Sequence, residues 1–335
     1  MQDVFNDPAF NMANLTASIN VLPNLYGRVG DMGLFASKPI TTRTVIIEEK
    51  HGKLNLLQSK PLGSPGTVDE HGTRTVRSFV VPHIPHDDIV LPGDVAGIRA
   101  FGSDTELETV ASIVNDRLQS MKNKHDITHE WHRMGALKGL ILDADGSTIY
   151  NLYTEFGITK KTVSFALGTA TTDVKAKCLM VKRHIQKNLM GELMKSVRVL
   201  VSEEFFDALT SHANVEKAFA NWQEAQNRLG GDMRTGFDFG GLTFEEYAGE
   251  ATDSAGTLRR FIAAGSGHAF PEGTGATFHQ YAAPADFNET VNTLGQVYYA
   301  KQEPRDMGRG TNIHTQSNPL ALCLRPGVLV ECTVA

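Results

Sequence analysis

Between Ser103 and Leu142 the sequence carries its longest helical pattern, and a helix of that length sets the frame on which everything else hangs. Leu107, Val110, Val114, Leu118 and Met121 recur at spacings of three and four, which draws one apolar stripe. Ser103 or Asp104 can cap the start, with Glu106 and Glu108 in the first turn. Trp131, Met134 and Leu137 resume the stripe after a polar interval, so a break is expected near Asp126 or Gly135. Leu140-Ile141-Leu142 then enters Asp143-Ala144-Asp145-Gly146-Ser147, a strong turn, and Thr148-Ile149-Tyr150 follows. The long helix therefore feeds a β-hairpin.

Residues 1 to about 40 are punctuated by Asn, Asp, Gly and Pro, and read as an extended arm with at most one short helix. Thr42–Ile47 is rich in β-branched residues and Leu54–Gln58 is a second apolar run. The polar stretch Glu48-Glu49-Lys50-His51-Gly52-Lys53 between them predicts a hairpin turn. Lys60–Arg77 reads as a long solvated return loop before Phe79-Val80-Val81 resumes strand character. A second amphipathic helix is expected from Asp173 to about Leu193, burying Val174, Cys178, Val181, Ile185 and Leu189. A strand at Val197–Val201, a helix capped by Ser202 and a helix over Val215–Leu229 come next. From Phe237 onward the pattern is short strands and glycine-rich turns. Leu320, Leu322 and Leu324 alternate, as do Val328, Val330, Cys332 and Val334, so the last residues are expected to be paired strand. The fold class is α+β, with a middle domain inserted between the long helix and a terminal strand pair.

Composition excludes several classes. The 335 residues are 41% hydrophobic and 21% charged, enough for a sizeable core and unlike a disordered chain. A net charge of −6 argues against a sequence-reading nucleic-acid binder, though not against a protein that encloses nucleic acid without gripping it. Cys178, Cys323 and Cys332 form no C-x-x-C pair and cannot complete a disulfide framework, so a reducing setting and burial are expected. No secretory signal and no membrane span are expected.

The sharpest enzyme-like signal is His125-Asp126-Ile127-Thr128-His129, two imidazoles at i and i+4, with His132 at i+7. Asp126 reaches less far than the Glu of a zinc hydrolase, so a solvated helix face is the preferred reading. Val81–Asp88, with His83, His86, Asp87 and Asp88, reads as a stiff extended connector. Asp143-x-Asp145-Gly146 begins like a calcium loop, but position 12 is Thr154. Gly265–Gly273 lacks a following Lys-Ser/Thr and reads as a structural turn. The lysines of the second helix could face phosphates, although a solvated helix is the commoner case. No constellation makes an active site: catalytic, cofactor-binding and metal-binding residues are all expected to be absent.

Several strings in order resemble the lambda-type (E family) major capsid proteins of tailed bacteriophages. They are Val45-Ile46-Ile47-Glu48 with Leu54-x-Leu56-Leu57, Arg77 to Pro85, and Val95 to Gly102. Thr128-His129-Glu130 and Gly135-Ala136-Leu137-Lys138-Gly139 follow, then Ala283 to Phe287, Glu289 to Thr293, and Gln316 to Leu320. The resemblance spans about residues 40 to 335.

It implies the tailed-phage major capsid fold: an N-terminal arm (1–40), an extended hairpin loop (41–82) and a peripheral domain (83–175) with a spine helix at about 104–142. An axial domain (176–312) and C-terminal strands (313–335) that rejoin the peripheral domain complete it. It further implies a non-enzymatic protein that self-assembles into hexamers and pentamers, closing an icosahedral head around double-stranded DNA. The expected location is the virion, after assembly in the host cytoplasm. A portal is an implied partner. Only about 40 residues precede the hairpin, so a separate scaffolding protein is expected; a cementing protein at the three-fold positions stays open. Lys50, Lys53 and Lys60 lie in the loop, and no crosslinking is inferred from them. Two alternatives are a metal-dependent hydrolase using His125, His129 and Asp126, and a cellular nanocompartment shell of the same fold.

Overall fold

The computed structural model describes residues 12–21, 27–50, 74–95, 110–216, 218–219 and 236–335. The long helix runs without interruption from Val110 to Lys138, about 43 Å at 1.5 Å per residue. It passes through both expected break points. The polar interval breaks nothing: Lys122, His125, Asp126, His129 and Glu130 all find partners inside the protein. The helix stops earlier than the expected Leu142: Gly139 takes φ +74°, and its missing Cβ leaves room for the Tyr153 ring, which a methyl group would meet at 2.5 Å. Leu140–Leu142 is a strand paired with Thr148–Asn151 around the Asp143–Ser147 turn. The expected start near 104, with Ser103 and Asp104, lies outside the described residues.

Two hydrophobic clusters flank the interval. Val114, Leu118 and Met121 join Val90, Tyr298, Ala300 and Ile313, together with Leu15 and Ile19 of an N-terminal helix, Met12–Val21. Trp131, Met134, Ala136 and Leu137 belong to the larger cluster that fills the rest of the protein. The helix thus ties two cores together, with its polar stretch between them.

Beside the first core lies a three-stranded antiparallel sheet, in the order Tyr299–Pro304, Thr311–Ser317, Ile84–Val90. The expected stiff connector at Val81–Asp88 is therefore largely a sheet strand, paired from Ile84 to Val90. Pro85 is tolerated because this strand is an edge. The larger core is built on a six-stranded mixed sheet. Its order is Lys161–Ser164, Val330–Thr333, Ser266–Glu272, Ser196–Val201, Leu242–Glu246, Phe237–Phe239. A further sheet pairs Ala36–Pro39 in parallel with Phe278–Ala282, and the latter with Pro319–Cys323.

Three expectations need correction. The glycine-rich Gly265–Gly273 is mostly a central strand, Ser266–Glu272, buried along nearly its whole length. Gly267 marks close packing: a Cβ there would meet Val201 Cγ1 at 2.6 Å. The strand Thr44–Lys50 pairs with Arg74–Val80, the far side of the loop, and Leu54–Gln58 lies outside the described residues. The 1–40 arm holds a helix, a helical turn at Arg28–Asp31 and a sheet strand, so it is anchored. Strand pairings join segments on either side of residue 312. Tyr299–Pro304 belongs to the sheet beside the long helix, and the terminal strand Val330–Thr333 sits between Lys161–Ser164 and Ser266–Glu272.

The second amphipathic helix forms but ends at Asn188, short of the expected Leu193, which is exposed. Val174–Asn188 is a helix capped by Asp173, whose carboxylate accepts from Ala176 N, and Val174, Cys178, Val181 and Ile185 are buried. Ser202 Oγ accepts from Phe205 N at the head of Glu203–Thr210. Most of Val215–Leu229 lies outside the described residues. All three cysteines are free and buried, and burial pushes the Cys178 and Cys323 thiols up to about 12. Among the described residues no helix is long and apolar enough to cross a membrane.

Candidate functional site

The middle of the long helix departs most from expectation. The sequence places His125, His129 and His132 on a solvated face, yet all three are buried, as are Lys122, Asp126 and Glu130. The sheet packed against the helix supplies the reason. Thr315 Oγ1 donates to His86 O, so it receives Nε2–H of His125, 3.1 Å away. Ser317 Oγ donates to Val297 O and receives Nε2–H of His129 at 2.8 Å. Each hydroxyl uses its single proton on a carbonyl, so each ring presents an Nε2–H to it. Burial lowers the His125 imidazole to about 4, helped by the nearby His86 and His314. Burial holds His129 well below its ordinary value, with Arg133 adding to it. His132 is lowered to about 4 by burial, against the pull of Asp143, and neither of its ring nitrogens has a partner among the described residues.

The charges here are matched. Lys122 Nζ lies 2.8 Å from Asp126 Oδ2 and 5.0 Å from the Tyr298 ring centre, while the Tyr298 hydroxyl donates to Asp126 Oδ1. Glu130 is a hub that sequence reasoning missed. Its carboxylate accepts from Val29 N at 2.6 Å, Gly30 N at 3.1 Å and the Tyr247 hydroxyl at 3.0 Å. It joins the arm, the helix and the neighbourhood of the six-stranded sheet at one point. Arg28 continues the anchor: it pairs with Glu245, which also pairs with Arg198, and Arg198 reaches Glu272. Thr128-His129-Glu130 stands out in the sequence as a string, but nothing local shows that the glutamate's partners lie about 100 residues away in either direction.

The other candidates separate. His83 Nδ1 lies 2.8 Å from Asn318 Oδ1, His86 lies beside Lys124, Asp87 pairs with His314, and Asp88 lies 3.6 Å from Arg117. Asp143 and Asp145 accept from the backbone of their own turn, at Ala144 N and Ser147 N. Lys50 ends a strand, and Lys53 and Lys60 lie outside the described residues. Among the described residues no three His, Cys, Asp or Glu side chains are placed to hold a metal ion.

The surface offers contact instead. In the Thr44–Lys50/Arg74–Val80 pair, Val45 and Phe79 face inward and are buried. The opposite face carries Ile46, Val76 and Val80, exposed by 65, 60 and 60%. Exposed apolar side chains are thus gathered on one face of this strand pair. Met307, 88% exposed, stands on the turn between Tyr299–Pro304 and Thr311–Ser317.

A long helix laid on a three-stranded sheet, a six-stranded mixed sheet carrying the larger core, and a strand pair with one apolar face exposed make up a fold found in phage capsid subunits. The fold is shared with the mature capsid of bacteriophage PhiM1, at a TM-score of 0.53 and 13% identity over 93% of this chain and 87% of that one. The chain belongs to the family described as phage major capsid protein E, whose profile matches residues 11–334. It is 31% identical to the major capsid protein of Pseudomonas phage KPP10, over 96% of both chains. It is 29% identical to that of Salmonella phage Felix O1 (isolate Felix O1-VT1), over 96% of this chain and 95% of the relative. The protein is a structural component of the phage capsid, and neither the hydrolase nor the nanocompartment alternative finds support.

Proposed function

We propose that this subunit forms hexameric and pentameric rings that close into an icosahedral head around double-stranded DNA, and that it carries no enzymatic activity. The observation that carries the reading is the strand pair with one face buried and the other apolar and open. Head-to-tail contacts of this kind close into rings, and one sequence can serve two ring sizes when the adjustable contact sits on a projecting element. The region 41–82 would be the extended loop that reaches a neighbour. The long helix with its three-stranded sheet would be the peripheral domain, and the six-stranded sheet the axial one. A scaffolding protein and a portal would act on the shell during assembly in the host cytoplasm, with a cementing protein as a further candidate.

The test is electron microscopy of subunits co-expressed with a scaffolding protein. Closed shells are expected from the full chain. Deleting about 48–75 should leave a folded, soluble subunit that assembles poorly. Normal shells from the deletion would remove the loop from the assembly mechanism.

A further inference from the structure

The helix Val174–Asn188 holds five cations, Lys175, Lys177, Lys182, Arg183 and Lys187, and no acid. The whole chain is at −6, so without this helix it would stand at −11. The helix cannot turn these charges away, because Val174, Cys178, Val181 and Ile185 are fully buried and fix its inner side. At 100° per residue the cations cover the flanks and outer side. Lys175, Arg183 and Lys187 are exposed, and Lys177 and Lys182 are half-buried.

Among the described residues none of the five makes an ion pair, whereas Arg28, Arg117, Lys160, Arg198, Arg259, Arg260, Lys301 and Arg325 all do. Acids at the start of the helix and on strands of the six-stranded sheet are engaged elsewhere. Asp173 caps the helix, Asp238 accepts from Thr243, and Glu331 takes Lys160 and Thr162. His184, between the lysines, has its imidazole lowered by burial and by the positive field of Lys161 and Lys187.

We propose that this helix faces the interior of the shell and docks the phosphate backbone of packaged duplex DNA. The proposal rests on the reading of the protein as the wall of a DNA-filled head. At 1.5 Å per residue the helix is about 22 Å long, enough to lie along several phosphates of a duplex that carries one charge per about 1.7 Å of axis. The contact is electrostatic and reads no sequence, because it reaches backbone charge and not base edges. Repeated in every subunit, it would hold an outer layer of DNA against a wall that is otherwise acidic.

The test compares the full chain with a K175E/K182E/R183E/K187E variant, using a fluorescently labelled 30-base-pair duplex of arbitrary sequence. The duplex is expected to bind the wild-type subunit with an affinity that falls steeply with salt. The variant should bind at least ten-fold more weakly at low salt, with a log–log slope shallower by about 0.9 for each phosphate it no longer neutralises. R305E/R309E is the control and should bind as wild type. The same variant, co-expressed with scaffolding protein, should still build empty shells. Wild-type subunits that ignore the duplex, or a variant that binds it unchanged, would overturn the proposal. A variant that cannot form empty shells would also overturn it, by making this face a protein contact. Failure of the wild type itself to assemble would count against the capsid reading instead.

Discussion

The six-stranded sheet and the middle of the long helix are equally closed to water, yet they are filled with different material. Around the sheet Phe165, Phe205 and Phe244 meet with ring centres 5.6 to 6.4 Å apart, in edge and stacked contacts. Each such ring contributes about 1.5–3 kcal/mol by leaving water, and none needs a specific partner. Along the helix Lys122, His125, Asp126, His129 and Glu130 each need a particular donor or acceptor; Lys122 and Asp126 hold each other, and the rest come from the arm, the three-stranded sheet with the adjoining Tyr298, and Tyr247. The apolar core rewards any good packing. The polar stretch accepts one arrangement of four separate segments, so it fixes how the two cores stand relative to each other.

The comparison can be broken at either end. Phe244→Ala should lower unfolding free energy by about 3–5 kcal/mol in urea titration, the ordinary penalty of a cavity. Asp126→Leu should cost about 3 kcal/mol, because it strands a buried ammonium. The triple change Lys122→Met, Asp126→Leu, Tyr298→Phe should return to within about 1 kcal/mol of wild type, since it removes the whole group at once. A triple variant as unstable as Asp126→Leu would mean that packing, and not charge matching, governs this stretch.

Acid should separate the two regions further. Above pH 6.5 the buried imidazoles are neutral in both folded and unfolded chains, so their contribution is intact. As pH falls below 6.5 the unfolded chain binds protons that folded His125 and His132, held at about 4, do not. Stability therefore drops between about pH 6.5 and 4, by about 1.4 kcal/mol per pH unit per imidazole. His268 in the six-stranded sheet, lowered to about 3 by burial, adds its own share. Replacing His125 and His132 with Gln should flatten the profile by about two protons in denaturation series run across that range. The smallest effect is expected from Ser317→Ala, which takes the acceptor from His129 and should cost about 1–2 kcal/mol by the same measurement.

These two regions also differ in how far the sequence reveals them. The stripe of Val114, Leu118 and Met121, the inner face of Val174–Asn188, the Ser202 cap and the terminal strand at Val330–Thr333 follow from local periodicity and form, whereas Pro319–Cys323 is buried along its whole length and does not alternate. The polar interval at 122–132 gives no local sign that it is buried, because its partners at Val29, Tyr298, Thr315 and Ser317 are remote in sequence. Gly267 misleads for a related reason. Glycine ordinarily signals a turn, and only the close approach of Val201 makes it a strand residue here. The strand Thr44–Lys50 likewise has a nearer apolar candidate in Leu54–Gln58 than its actual partner, Arg74–Val80.

The parallel pairing of Ala36–Pro39 with Phe278–Ala282 has a consequence for synthesis. A nascent chain exposes the first of these segments early and must wait for most of its length to emerge before the second exists. The terminal strand at Val330–Thr333 then enters between two strands made long before it. Neither sheet can therefore close until nearly all of the residues up to Thr333 have been made, so the core forms as one late event.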